Sequence, residues 1–103
     1  MATDKEFLYS VMDSLYGVPD VRFKQMMGEY IIYYRDKTVG GLYDNRFLVK
    51  KTASSASLLE GAPEEIPYPG AKKMLRVENT AEGEFLKKLF EAIYSDLTGR
   101  KNQ

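Results

Sequence analysis

The sequence predicts a two-layer α+β domain. An antiparallel sheet (a four-strand meander plus one later strand) carries helices on one face, in the order α-β-β-β-β-α-β-α. Three observations lead there. Segments near each end of the chain place apolar residues at helical spacing. The stretch from 21 to 51 is dense in aromatic and β-branched residues cut by short turn signals, and strands joined by tight turns must be antiparallel. Two amphipathic helices also need a common apolar surface, which one sheet face can supply while the other stays free.

The first helix is predicted over about Asp4 to Tyr16, with Phe7, Leu8, Val11, Met12 and Leu15 as its stripe. Thr3 and Glu6 fit a capping box, Gly17 suits a left-handed C-terminal residue, and Pro19 blocks continuation. Val21 to Lys24 alternates apolar and basic residues, as a strand with one wet face does. Met26-Met27-Gly28 breaks the alternation, predicting a turn or bulge with the methionines packed under the first helix. Glu29 to Arg35 forms the second strand, Asp36-Lys37 the connection and Thr38 to Tyr43 the third strand. The pair Gly40-Gly41 marks a bulge or a close backbone approach rather than a phosphate cradle. Asp44-Asn45 is the stronger turn signal. Arg46 to Lys51 then closes the meander, with Phe47 and Val49 on one side and Leu48 and Lys50 on the other.

Thr52 is a cap for a short helix through Leu58. Pro63, Pro67 and Pro69 make 61–70 a loop without a regular ladder, in which Glu64-Glu65 reads as solvated charge. Lys73 to Glu78 is the last strand. Asn79 or Thr80 caps a final helix over about Ala81 to Leu97, with Phe85, Leu86, Leu89, Phe90, Ile93 and Leu97 as its stripe, Glu82 and Glu84 favouring the helix dipole, and Gly99 as its end. The 103 residues make one domain with a core over about 4–97 and a loose tail at 98–103.

Composition narrows function. There is no cysteine and no histidine, which removes thiolate chemistry, the usual general base and the usual metal ligands. No phosphate loop or dinucleotide fingerprint is present. Ser54, Ser55 and Ser57 have only Lys50 or Lys51 as conceivable activators. No catalytic, cofactor or metal residue is assigned, and a non-enzymatic protein is expected. No signal-peptide pattern or membrane-spanning run is seen, so the expected location is the cytoplasm, with no membrane partner.

Fifteen basic residues balance fifteen acidic ones, but unevenly along the chain. Residues 21–51 hold Arg22, Lys24, Arg35, Lys37, Arg46, Lys50 and Lys51 against Glu29, Asp36 and Asp44. Lys72, Lys73 and Arg76 add a second basic group, whereas 1–20 and 52–70 are acidic. The sheet also carries Tyr30, Tyr33, Tyr34 and Tyr43. The candidate interaction surface is Arg22, Lys24, Tyr33, Arg35, Arg46 and Tyr68. A basic, tyrosine-bearing sheet face suits a protein partner or a second copy of the chain. It also suits single-stranded nucleic acid, where bases stack and phosphates pair. Outward Lys and Arg on strands serve equally to block edge pairing.

The run Phe23 to Lys37 (FKQMMGEYIIYYRDK) resembles the signature of the TfoX/Sxy N-terminal domain family. So do Val39 to Lys50 and Tyr68 to Met74, and the resemblance extends from about Lys5 to Leu97. It implies a helix–meander–helix domain and a role in regulation, since the best-known members are transcriptional co-activators of competence for DNA uptake. Those members carry a second, C-terminal helical domain, and this chain is expected to be a stand-alone N-terminal domain. The resemblance supplies no catalytic residues, so it implies regulation through protein contacts.

Overall fold

The computed structural model describes residues 2–78 and 81–99. Helix α1 (Lys5–Ser14) precedes strands β1 (Val21–Met26), β2 (Glu29–Tyr34), β3 (Lys37–Leu42) and β4 (Phe47–Val49). The short α2 (Ala53–Leu58), β5 (Glu64–Glu65), β6 (Met74–Arg76) and α3 (Gly83–Thr98) follow. All strand pairs are antiparallel, in one sheet of order β1-β2-β3-β4-β6-β5. The α+β class and the expected order of the main elements are those of the structure.

The addition is β5. Glu64 and Glu65 pair with Leu75 and Met74, where an irregular loop was expected. Pro63 and Pro67 flank the pair without interrupting it, and an edge strand needs partners on one side only. The carbonyl of Pro63 still contributes, accepting from the Arg76 amide at 3.0 Å.

The meander is set by its turns. Met27 and Gly28 adopt φ of 54° and 84°, and Asp44 and Asn45 adopt 53° and 60°, the left-handed values that two-residue hairpins need. Between β2 and β3 the connection is Arg35-Asp36 rather than Asp36-Lys37, because Tyr34 pairs with Lys37. Arg35 carries the positive φ there, at 57°. After α1, Asp20 takes the left-handed conformation expected of Gly17, which has no positive φ. Its carbonyl accepts from the Arg35 amide at 2.8 Å, tying the start of β1 to the next hairpin.

Capping differs at α1. Asp4 is its N-cap residue, without a side-chain cap bond. The Thr3 hydroxyl is buried and donates instead to Glu29 Oε1 at 2.7 Å, while Asn45 Oδ1 accepts from the Asp4 amide at 2.9 Å. The helix start is thus pinned to the sheet rather than capped by its own residues. Thr52 does cap α2, in a reciprocal box with Ser55. The expected caps of α3, Asn79 and Thr80, lie outside the described residues, as do 100–103 of the expected loose tail; Glu82 is the N-cap residue. Gly99 ends the helix at φ 72°, as its position predicts.

One apolar core joins Leu8, Val11 and Leu15 of the first helical segment to Ile32, Phe47 and Val49 of the sheet and to Leu86, Leu89, Phe90 and Ile93 of α3. Both long helices therefore pack on the same sheet face. Met12 and Leu97, expected in the helical stripes, lie at their margins and are exposed.

Candidate functional site

Alternation along the strands decides which side chains face away from the helices. Tyr30, Ile32 and Tyr34 of β2 are buried on the helix side, so Ile31 and Tyr33 look outward and are half-buried. Cross-strand partners share a face: Arg22 pairs with Tyr33, Lys24 with Ile31, Gly41 with Ile31 and with Leu48. The outer face thus has an apolar middle edged by basic residues.

Over β4 this face is roofed rather than free. Arg46 reaches across to β5 and the segment after it. Its Nη1 donates to Glu65 Oε1 at 2.9 Å and to the Ile66 carbonyl at 3.2 Å, and its Nη2 to the Pro67 carbonyl at 3.3 Å. Tyr68 then lies against Tyr43, with ring centroids 6.2 Å apart. Tyr43 packs over Gly41, where an added Cβ would meet its ring at 2.7 Å. Leu48, although on the outer side, is completely buried. Between this roof and the open strands lies a depression of 590 Å³. Ile31, Tyr33, Tyr43 and Met74 supply apolar surface to it, and Lys50, Lys51, Lys72 and Lys73 supply charge.

The acids nearby are already engaged. Glu65 bridges Arg46 and Arg76 at 2.9 and 3.2 Å, and Glu64 pairs with Lys51 at 2.9 Å. Glu64 and Glu65 are therefore paired, not the solvated loop charge the sequence suggests. The hydrogen bond from Arg46 holds the Glu65 carboxyl below its usual range, and that from Lys51 does the same for Glu64. A depressed folded value means each contribution is complete above the ordinary carboxylate range, about pH 4 to 4.5, and is lost as pH falls through the lowered value. Acidification below about pH 4 is therefore expected to loosen the 66–73 roof before the sheet. Residue-resolved hydrogen exchange, referenced to unfolded-chain rates, checks this. Arg46→Ala should loosen the same amides at neutral pH.

The six candidate residues separate. Arg22, Lys24 and Tyr33 share the outer face, and Tyr68, 59% exposed, stands on the roof beside it. Arg46 is a clamp whose donors are taken up by the chain itself. Arg35 belongs elsewhere: it pairs with Glu91 of α3 at 3.3 Å and lies 5.0 Å from the ring centres of Tyr34 and Tyr94. The Tyr34 hydroxyl donates to Glu91 at 2.6 Å. Burial, reinforced by Glu91, pushes its pKa up to about 12.

Met26 and Met27 were expected beneath α1. Instead they are exposed: Met26 ends β1 on the outer face, and Met27, 94% exposed, sits in a left-handed turn that points its side chain away from the domain. The signal for Lys50, Lys72 and Lys73 was the charge surplus of their segments. Their convergence follows from the β4–β6 pairing of Leu48 with Arg76 and Val49 with Leu75, which brings the ends of two distant segments together. Ser54 and Ser55 are tied into the fold by hydrogen bonds. Ser55, fully buried, donates to the Lys50 carbonyl at 2.8 Å, and Ser54 donates to Asp96 at 3.0 Å.

Among the described residues, no cluster of acidic side chains is placed to hold a metal ion, and no helix is long and apolar enough to cross a membrane. No protein-family model and no solved structure matches the chain. A sequence match does exist, to an uncharacterised 12.7 kDa protein in the trpE 5′ region of Spirochaeta aurantia. Identity is 38% over 82 residues, covering 80% of this chain and 71% of the relative. Over that span, which takes in most of the domain, the chain belongs to the family of the Spirochaeta aurantia protein.

Proposed function

We propose that the protein is a non-enzymatic regulatory domain of the cytoplasm that works through protein contacts made by its outer sheet face. One observation carries this reading: both long helices cover one side of the sheet, while the other keeps half-buried Ile31 and Tyr33 beside a 590 Å³ depression. Apolar surface rimmed by polar groups is the usual make-up of a protein-binding patch. The resemblance to the TfoX/Sxy N-terminal domain supports a regulatory role of the same kind. The partner is another protein or a second copy of the chain.

The tyrosines favour protein over nucleic acid. A single-strand platform needs several free rings in succession. Tyr30 and Tyr34 are in the core, Tyr43 is buried, and Tyr33 lies under the Arg22 guanidinium at 5.0 Å. Of the tyrosines around this face, Tyr68 is the exposed one.

Photocrosslinking in cells tests the proposal. A benzophenone amino acid at position 31 or 68 is expected to capture one and the same protein, and at position 9 on α1 to capture nothing. Adducts from position 9 alone, or none from 31 and 68, would overturn it.

A further inference from the structure

The geometry points to the chemistry of the partner: an extended, acidic segment of a protein chain, lying in the depression with carboxylates against Lys50, Lys72 and Lys73. This inference rests on the outer face being the interaction surface. Charge complementarity singles out such a segment. The chain as a whole is neutral, yet Arg22 and Lys24 line one side of the apolar middle and the lysine group lines the other. Lys50, Lys72 and Lys73 form no ion pair with a described residue.

Local acids do not cancel that charge. Glu65 is neutralised by two arginines, and Glu64 is paired with Lys51 and only more distantly attracted by Lys73. Glu29 accepts from the Thr3 hydroxyl and the Asp44 amide. A partner carboxylate thus meets lysines with no carboxylate in ion-pair contact, of which Lys73 alone feels the more distant charge of Glu64. Apolar side chains alternating with its carboxylates would rest on Ile31, Met74 and the Tyr68 ring. An extended segment is required because its side chains alternate direction, as the floor and rim demand.

The same charges argue against a second copy joining edge to edge at β1. In an antiparallel self-pairing of this strand centred on Phe23, Arg22 would face Lys24 of the second copy on the outer side, and like charges opposite one another repel.

The probe is a fluorescein-labelled peptide of alternating Glu and Leu, read by anisotropy. A Lys-Leu peptide and oligo-dT serve as the other arms. The Glu-Leu peptide alone is expected to bind, more weakly at high salt. The Lys50→Ala/Lys72→Ala/Lys73→Ala variant should lose about tenfold or more in affinity, as removal of several charge pairs implies. All three lysines are at least partly exposed, so the variant should fold, with far-UV circular dichroism as the check. Unchanged affinity in the variant, no binding of the Glu-Leu peptide, or tighter binding of oligo-dT would each overturn the inference. If the peptide fails while position 31 still crosslinks a partner, the acidic-segment inference falls and the interaction face stands. If both fail, the face itself is wrong. A crosslink between two copies of the chain would replace the foreign segment with a second copy.

Discussion

Gly40→Ala is expected to cost about 3 kcal/mol of stability, at the upper end of what overpacking does in a tight interior. The new Cβ would fall on the carbonyl oxygen of Leu48 and 2.9 Å from the Cα of Val49. Both are backbone atoms of the adjacent strand, so no side-chain rotation relieves the contact. β3 and β4 would have to separate at the centre of the sheet. Gly41→Ala meets the Tyr43 ring at 2.7 Å but also the Tyr30 carbonyl at 2.7 Å, so it too should destabilise, while shifting Tyr43 within the depression. Gly17 has open space around its Cβ position and no positive φ, so Gly17→Ala should be close to neutral. Urea midpoints for the three variants check the order.

Phe90→Ala is expected to cost about 3–5 kcal/mol, the usual range for deleting a fully buried aromatic ring. Phe90 has no exposed surface and sits where α3 meets the sheet. Its ring is 6.4 Å from Phe47 and 5.9 Å from Tyr34, both tilted or edge-on arrangements. Truncation removes the transfer energy of the ring and leaves a cavity flanked by two large aromatics that cannot both collapse into it. A domain of this size has roughly 5–15 kcal/mol in total, so the variant should be largely unfolded at modest denaturant concentration. The same urea titration reads it, and an unchanged midpoint would contradict the helix–sheet packing described.

These two residues show what sequence reasoning reaches. Phe90 was legible because a helical stripe repeats with a fixed period, and period alone puts it inward. Gly40-Gly41 was legible as a close backbone approach, since paired glycines in a strand have few other uses. The hairpin at Asp44-Asn45 followed from residues that tolerate left-handed geometry, and the turn at Met26-Met27-Gly28 from the break in alternation. What failed was whatever depends on a contact between distant segments. Thr3 had every local mark of a cap, yet Glu29, far along the chain, competes successfully for its hydroxyl. Arg35 and Arg46 looked like surface charge because nothing near them in sequence announces Glu91 or the Ile66 and Pro67 carbonyls. The lysine group was visible only as two separate charge surpluses until the β4–β6 pairing joined them.

A second exposed apolar strip competes with the outer face. Tyr9 and Met12 stand on the outside of α1 and Tyr16, 91% exposed, just beyond its end. Amide chemical-shift mapping of the isotope-labelled protein, titrated with the Glu-Leu peptide, separates the two surfaces directly. Shifts are expected to concentrate at Ile31, Tyr33, Gly41, Lys50 and Lys73. Shifts concentrated at Tyr9, Met12 and Tyr16 would contradict the outer-face site.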